Sequence, residues 1–275
     1  WGREVVEMIN TNISIGQYIP GDSIIHRADP RTKIILSLAF MVIIFMMNSF
    51  WTVFELTVFV LMAVIISGVP LKHTLKGLKP LLLIIVFSAL LNIFTTKGTP
   101  VAETVPLKYI TYEGLIMALK LSVRLALIII SGSLLTFTTT PILLTDGIEK
   151  LLNPLKVIGV PAHELAMMMS IALRFIPTLL EETDKIMKAQ AARGADFDTG
   201  NLLQRAKSFV PVLVPLFVSA FRRAEDLATA MESRCYRGGT GRTRLRQLKF
   251  THADIKIVLT VLVFVAALLI QEYMW

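Results

Sequence analysis

Two arginines stand where long amphipathic stretches stop: Arg193 within Ala192-Arg193-Gly194, and Arg234 within Ser233-Arg234-Cys235. Arginine keeps its charge and offers a planar fork of donors, so an exposed guanidinium suits binding of a carboxylate rather than turnover. Gly194 can take the left-handed conformation that ends a helix and exposes the residue before it. A cation there is also favoured by the helix dipole. Other chemistry is sparse. The four histidines, His26, His73, His163 and His252, are scattered singly, and the lone Cys235 excludes an intramolecular disulfide. No Cys/His pair has zinc spacing. The run Gly238-Gly239-Thr240-Gly241-Arg242 lacks the lysine and spacing of a phosphate-binding loop. No nucleophile–base pair or paired-carboxylate site stands out. The reading is therefore of a chain with no catalytic residue, no metal and no cofactor of its own.

Two long helices must carry these arginines, within about residues 161–239. On the first, Ser170, Arg174, Thr178, Glu181, Lys185 and Lys188 recur at steps of three and four, which makes one polar stripe. The remainder is largely apolar, with Met167, Met168, Met169 and Phe175 prominent. On the second, Ser208, Pro211, Pro215, Ser219, Arg222, Asp226, Thr229 and Ser233 form the stripe, and Leu213 and Phe217 belong to the wide apolar side. Each helix is expected to have a narrow wet edge and a wide greasy one. The charged run Glu181-Glu182-Thr183-Asp184-Lys185 and the Arg222-Arg223-Ala224-Glu225-Asp226 segment cannot rest in lipid, so both helices read as interfacial, lying along the inner membrane surface. Pro177, Pro211 and Pro215 should bend them.

The chain around them is a membrane protein on composition alone: 54% of its residues are hydrophobic and 17% charged, with a mean hydropathy of +0.66. Soluble proteins carry about 25% charged residues. The net charge of +8 fits a large cytoplasmic-side surface. Nucleic acid is excluded as partner, since no aromatic-studded basic groove accompanies that charge. Five stretches are apolar enough to cross a bilayer: about 34–48, 52–68, 81–95, 115–137 and 255–273. Arg27, Arg31 and Lys33 precede the first, and Lys72, Lys76 and Lys79 separate the second from the third. The loop 97–114 is balanced, with Lys97 and Lys108 against Glu103 and Glu113. The positive-inside rule then places the N-terminus in the cytoplasm, 96–114 outside, 138–254 inside and Trp275 outside. No cleavable signal peptide is visible in the polar first 33 residues, and Met8 is a candidate native start.

The expected fold is all-α and polytopic, N-in and C-out. Its parts are an N-terminal cytoplasmic segment 1–33, spans one to four within 34–137, an interfacial coupling-helix region 138–252, and a last span in 253–275. Residues 141–159 read as a short amphipathic helix. Arg237, Arg242, Arg244, Arg246 and Lys249 form a basic collar suited to anionic lipid. Glu55, Lys120 and Arg124 fall inside spans, where charge defaults to function. One acid and two cations make a poor relay, and helix-to-helix bonding is the favoured reading.

At its arginine signals the chain resembles the transmembrane (T) component of energy-coupling factor transporters, a branch of the ABC importers. That family is marked by two Ala-Arg-Gly motifs ending long cytoplasmic coupling helices. The first is intact as Ala192-Arg193-Gly194; the second departs from the pattern, with Ser233 for Ala and Cys235 for Gly. The N-terminal signature His26-Arg27-Ala28-Asp29-Pro30-Arg31-Thr32-Lys33 is also similar to the family's. The resemblance implies a non-catalytic subunit of a bacterial or archaeal cell membrane. It implies docking of Arg193 on one cytoplasmic ATPase and of Arg234 on another. It further implies a platform for a separate substrate-binding membrane protein, the S component, that takes up vitamins or metal ions. Met167, Met168, Met169, Phe175, Leu213 and Phe217 are the candidate platform residues, methionine being easily repacked. The competing readings are a stand-alone channel or carrier gated by its cytoplasmic helices, and a membrane scaffold without transport.

Overall fold

A computed structural model describes residues 18–47, 49–99, 111–197, 201–238 and 248–274. Met8, Asn48, Trp275, Arg242, Arg244, Arg246 and most of the loop expected outside the membrane lie beyond the described residues. Among those described, the chain is helical throughout. The helices are α1 (Ile24–Arg27), α2 (Pro30–Met46), α3 (Phe50–Ser67), α4 (Leu71–Lys76), α5 (Leu82–Thr95), α6 (Tyr112–Thr138), α7 (Pro141–Leu152), α8 (Ala162–Ala192), α9 (Leu202–Ser208), α10 (Val210–Ser233) and α11 (His252–Met274). Short 3-10 turns Lys79–Leu81 and Asn153–Ile158 precede α5 and follow α7. Two compact units divide the chain, one of residues 17–147 with 247–275 and one containing 148–246.

Five helices are long and apolar enough to cross a membrane: α3, the run Leu71–Thr95, α6, α8 and α11. The number matches expectation but the set does not. The first expected span is α2, which at 17 residues is about 26 Å long and falls just short of a hydrocarbon core of about 30 Å. In its place α8 qualifies, because 31 residues hold an apolar first half ahead of the charged run. The predicted amphipathic segment ends its α-helix at Leu152, where Pro154 forces the tighter turn.

The larger unit is built on a core of Phe40, Ile44, Leu56, Val60, Val64, Leu127, Ile130 and Leu268, contributed by α2, α3, α6 and α11. The rings of Phe59 and Phe264 stack at 4.1 Å between α3 and α11. Apolar packing alone holds helices weakly in lipid, because lipid tails are as apolar as leucine. Polar bonds at helix ends fix the register. Asp29 caps α2, accepting from the Arg31 backbone N–H at 2.9 Å, and its carboxylate takes the Arg31 guanidinium fork at 2.8 and 3.0 Å. Arg31 in turn stacks 4.2 Å over Phe250.

The last helix is bolted at both ends. Near its start Asp254, 2% exposed, accepts from the Thr251 backbone at 2.7 Å and from the Asp29 N–H at 2.6 Å. Near its finish Glu272 accepts from the Ser49 N–H at 3.2 Å and from the Thr52 hydroxyl at 3.0 Å, at the start of α3. Each carboxylate meets the positive end of another helix. Eighteen residues separate the two acids, about 27 Å of helix, so the bolts sit one bilayer thickness apart. Arg124 of α6, one of the charges inside an expected span, donates to the Met47 carbonyl at the end of α2, which is a helix-to-helix bond. Lys33 donates to the carbonyls of His26 and Thr138 at 3.0 and 2.9 Å and to Thr139 Oγ1 at 3.3 Å. The basic N-terminal signature is thus spent largely inside the protein.

Replacing Asp254 by Ala removes its half of the α11 cap and orphans the buried Asp29 N–H. The expected loss is about 2–4 kcal/mol, read as a lower unfolding temperature of the detergent-solubilised chain; Asp254→Asn should fall between the two.

Candidate functional site

The unit containing residues 148–238 is dominated by α8 packed on α10. Why the first is a single helix follows from its composition: Ala and Met fill the opening turns, and no glycine interrupts it. Pro177 lies inside that helix and Pro215 inside α10, whereas Pro211 does not interrupt a helix. It occupies the first turn of α10, where a missing N–H costs nothing, and the chain breaks just before it at Phe209. The second long element is therefore two helices, α9 being opened by a reciprocal cap between Asn201 and Gln204.

The pairing between α8 and α10 is antiparallel. Glu182 accepts from the Ser219 hydroxyl and, at 2.8 Å, from Arg223 Nη2, while Gln190 Nε2 reaches the Pro211 carbonyl at 3.4 Å. As the numbers rise on one helix they fall on the other. The two arginines therefore project from opposite ends of the pair. Arg193 lies eleven residues beyond Glu182, and Arg234 eleven beyond Arg223. At 1.5 Å per residue each tip is about 16 Å from this bridge, and the tips are separated by up to about 33 Å.

Both helices end in the same way. Beyond α8, the Gly194 N–H donates to Ala191 O at 3.0 Å and the Ala195 N–H to Gln190 O at 3.0 Å, with Gly194 at φ +88°. Beyond α10, the Cys235 N–H donates to Glu232 O at 2.8 Å and the Tyr236 N–H to Met231 O at 3.0 Å, with Cys235 at φ +54°. Each is a Schellman closure, and in each the arginine is the C-cap residue. The second signal's departure in sequence thus leaves the turn unchanged; Cys235 adopts the left-handed geometry at the cost a side chain incurs there. Ala192, Arg193, Gly194, Ser233, Arg234 and Cys235 are all exposed. Neither guanidinium has an ion pair or hydrogen bond among the described residues.

The apolar candidates divide. Met168, Met169, Leu213 and Phe217 are exposed, Phe217 by 61%, whereas Met167 and Phe175 are half-buried. On α10 the exposed residues Val210, Leu213, Val214, Phe217, Val218 and Phe221 follow helical spacing and form one continuous stripe. On α8, Leu165, Met168, Met169 and Ile176 do the same. Both stripes occupy the half of the helix farther from its arginine.

What pattern reading missed is the seam. Ser219, on a wet edge by its spacing, turns toward α8 and bonds Glu182 of the charged run. The only signal was Ser219 and Arg223 four apart, a spacing that lets both reach one carboxylate. At the start of α8, His163 Nδ1 lies 3.1 Å from the Glu149 carboxylate.

These features define a class: a polytopic helical membrane protein that presents two exposed cationic helix ends, with no ion pair on either among the described residues. Residues 21–245 match the model of the CbiQ family, described as cobalt transport protein, and the chain belongs to that family. It is 58% identical to the energy-coupling factor transporter transmembrane protein EcfT of Ruminiclostridium cellulolyticum, over 96% of this chain and 98% of the relative. The proteins of the same description from Thermosediminibacter oceani and Bacillus subtilis are 56% and 50% identical, over 96% and 92% of this chain and 99% and 96% of theirs.

The αL position predicts a small gain from restoring glycine. Cys235→Gly should stabilise the α10 end by about 0.5–1 kcal/mol, and Gly194→Ala should cost about 1 kcal/mol through backbone strain alone, since no atom lies within 4 Å of the added Cβ. Limited proteolysis after the two turns measures both. A double-mutant cycle on Glu182→Gln and Arg223→Gln should give a coupling of about 0.5–1 kcal/mol, because the bridge is partly solvated.

Proposed function

We propose that this chain is the coupling subunit of an energy-coupling factor importer, with Arg193 and Arg234 docking two separate cytoplasmic ATPase subunits. The observation that carries the reading is the pair of matched, unpartnered arginine C-caps at opposite ends of one antiparallel helix pair. Their spacing of up to about 33 Å suits two protein partners better than one pocket. Each guanidinium keeps its full set of donors for a partner carboxylate. The names of the relatives at 50–58% identity support the same assembly.

In this mechanism, ATP-driven closure of the two ATPases moves the arginine tips relative to one another. The pair turns about the Glu182–Arg223 bridge, and the exposed apolar halves on the other side of that bridge move with it. Met168, Met169, Leu213 and Phe217 there form the platform for a membrane-embedded S component, which carries the vitamin or metal ion. Met167 and Phe175, half-buried, support that surface from beneath. The interfacial placement of both helices, with the N-terminus inside, completes the proposal.

Arg193→Glu or Arg234→Glu should leave insertion intact and weaken ATPase co-purification, each by about 2–5 kcal/mol of docking energy. The double substitution should abolish substrate uptake. ATPase recovery and uptake that both survive it would refute the docking roles. Transport by the purified chain alone in liposomes would instead establish a stand-alone carrier.

A further inference from the structure

A groove of about 350 Å³ enters the larger unit between α1, α2, α3, α6 and α11. Its walls are almost entirely apolar, running from Ile24 and Met62 inward to Phe40 and Phe59. At one end stand two cations, Lys33 from the start of α2 and Lys256 from the start of α11. From Lys33 to Phe40 the groove follows seven residues of helix, about 10 Å. It is thus polar and cationic at one end, greasy along its length, and set in a protein that crosses a membrane.

We infer that this groove is a specific site for an anionic phospholipid, one acyl chain lying against Phe40 and Phe59 with its phosphate on Lys256. The almost wholly apolar walls suit an acyl chain, with cations where a headgroup would lie. A single extended chain fits. Charge selects the headgroup. Lys33 uses its ammonium on two carbonyls and a hydroxyl, so it contributes field rather than a free donor. Lys256 is exposed and has no carboxylate partner among the described residues. Thr260, one turn further on α11, adds a hydroxyl at the same edge, although it is returned to the Lys256 carbonyl at 2.9 Å. A lipid here would fill the space between α11 and the helices it is bolted to. The site is independent of the docking proposal above, being confined to residues of the other unit.

The test uses the full chain in mild detergent, titrated with phosphatidylglycerol or phosphatidylcholine and read by native mass spectrometry. Phosphatidylglycerol should be retained about fivefold more strongly, and millimolar inorganic phosphate should not displace it. Lys256→Gln, an exposed change, should erase the preference while leaving chain-dependent retention. Thr260→Trp, which narrows the mouth, should lower retention of both lipids. Equal retention by the unaltered chain, or a preference that survives Lys256→Gln, overturns the proposal. Displacement by inorganic phosphate overturns it in favour of a free-anion site. Capture of a polypeptide rather than a lipid by a photo-crosslinker at Thr260 overturns the choice of occupant.

Discussion

In hydrocarbon every backbone N–H and C=O must find its partner inside the protein, and helix ends are where a helical chain fails to supply one. The larger unit answers this with side chains at several of its helix ends. Asp29 serves the first turn of α2, Asp254 serves both α11 and the Asp29 N–H, Glu272 serves the start of α3, and Arg124 reaches the carbonyl at the finish of α2. Arg124, a charge that looks costly in a span, is therefore a terminal fitting, and such bonds help set which helix lies against which.

The same constraint, relaxed, shapes the two arginine-bearing ends. Where α8 and α10 stop, the last carbonyls are satisfied by Schellman turns built from backbone alone. No side chain is consumed in closing either helix, so the C-cap arginine stays unspent. A helix end that required its arginine to cap its own carbonyls could not also offer the guanidinium to another protein. Closure by glycine or by a left-handed cysteine is what keeps the charge available.

The seam between these two helices is of a different character from the larger unit's core. The two helices bury few residues fully, Ala162, Ala166, Met187 and Val212, and the named cross-links of the seam are the hydrogen bonds of Glu182 and Gln190. Partly solvated polar links are worth little each and can be exchanged for water. Such a seam resists rotation far less than an interlocked apolar core. Such a seam suits the coupling role proposed above, in which displacement at an arginine tip passes to the opposite half of the pair.

Sequence alone established the membrane class, the all-α composition, most helix positions and both arginine signals, because those rest on local quantities: apolar runs, 3.6-residue spacing and helix-stop residues. It also carried the family, through the signature at 26–33 and the two motifs. Local rules failed where a residue's neighbour lies far along the chain. Ser219 and Glu182 are 37 residues apart, Asp29 and Asp254 are 225 apart, and nothing in either segment announces the other. Among the span-length helices, α2 is missing because its ends leave it 17 residues long, whereas α8 enters on the apolar composition of its first half. Tertiary structure alone decided that the two helices run antiparallel, and hence that their cations point apart, since a pattern repeating along one helix has no knowledge of the direction of its partner.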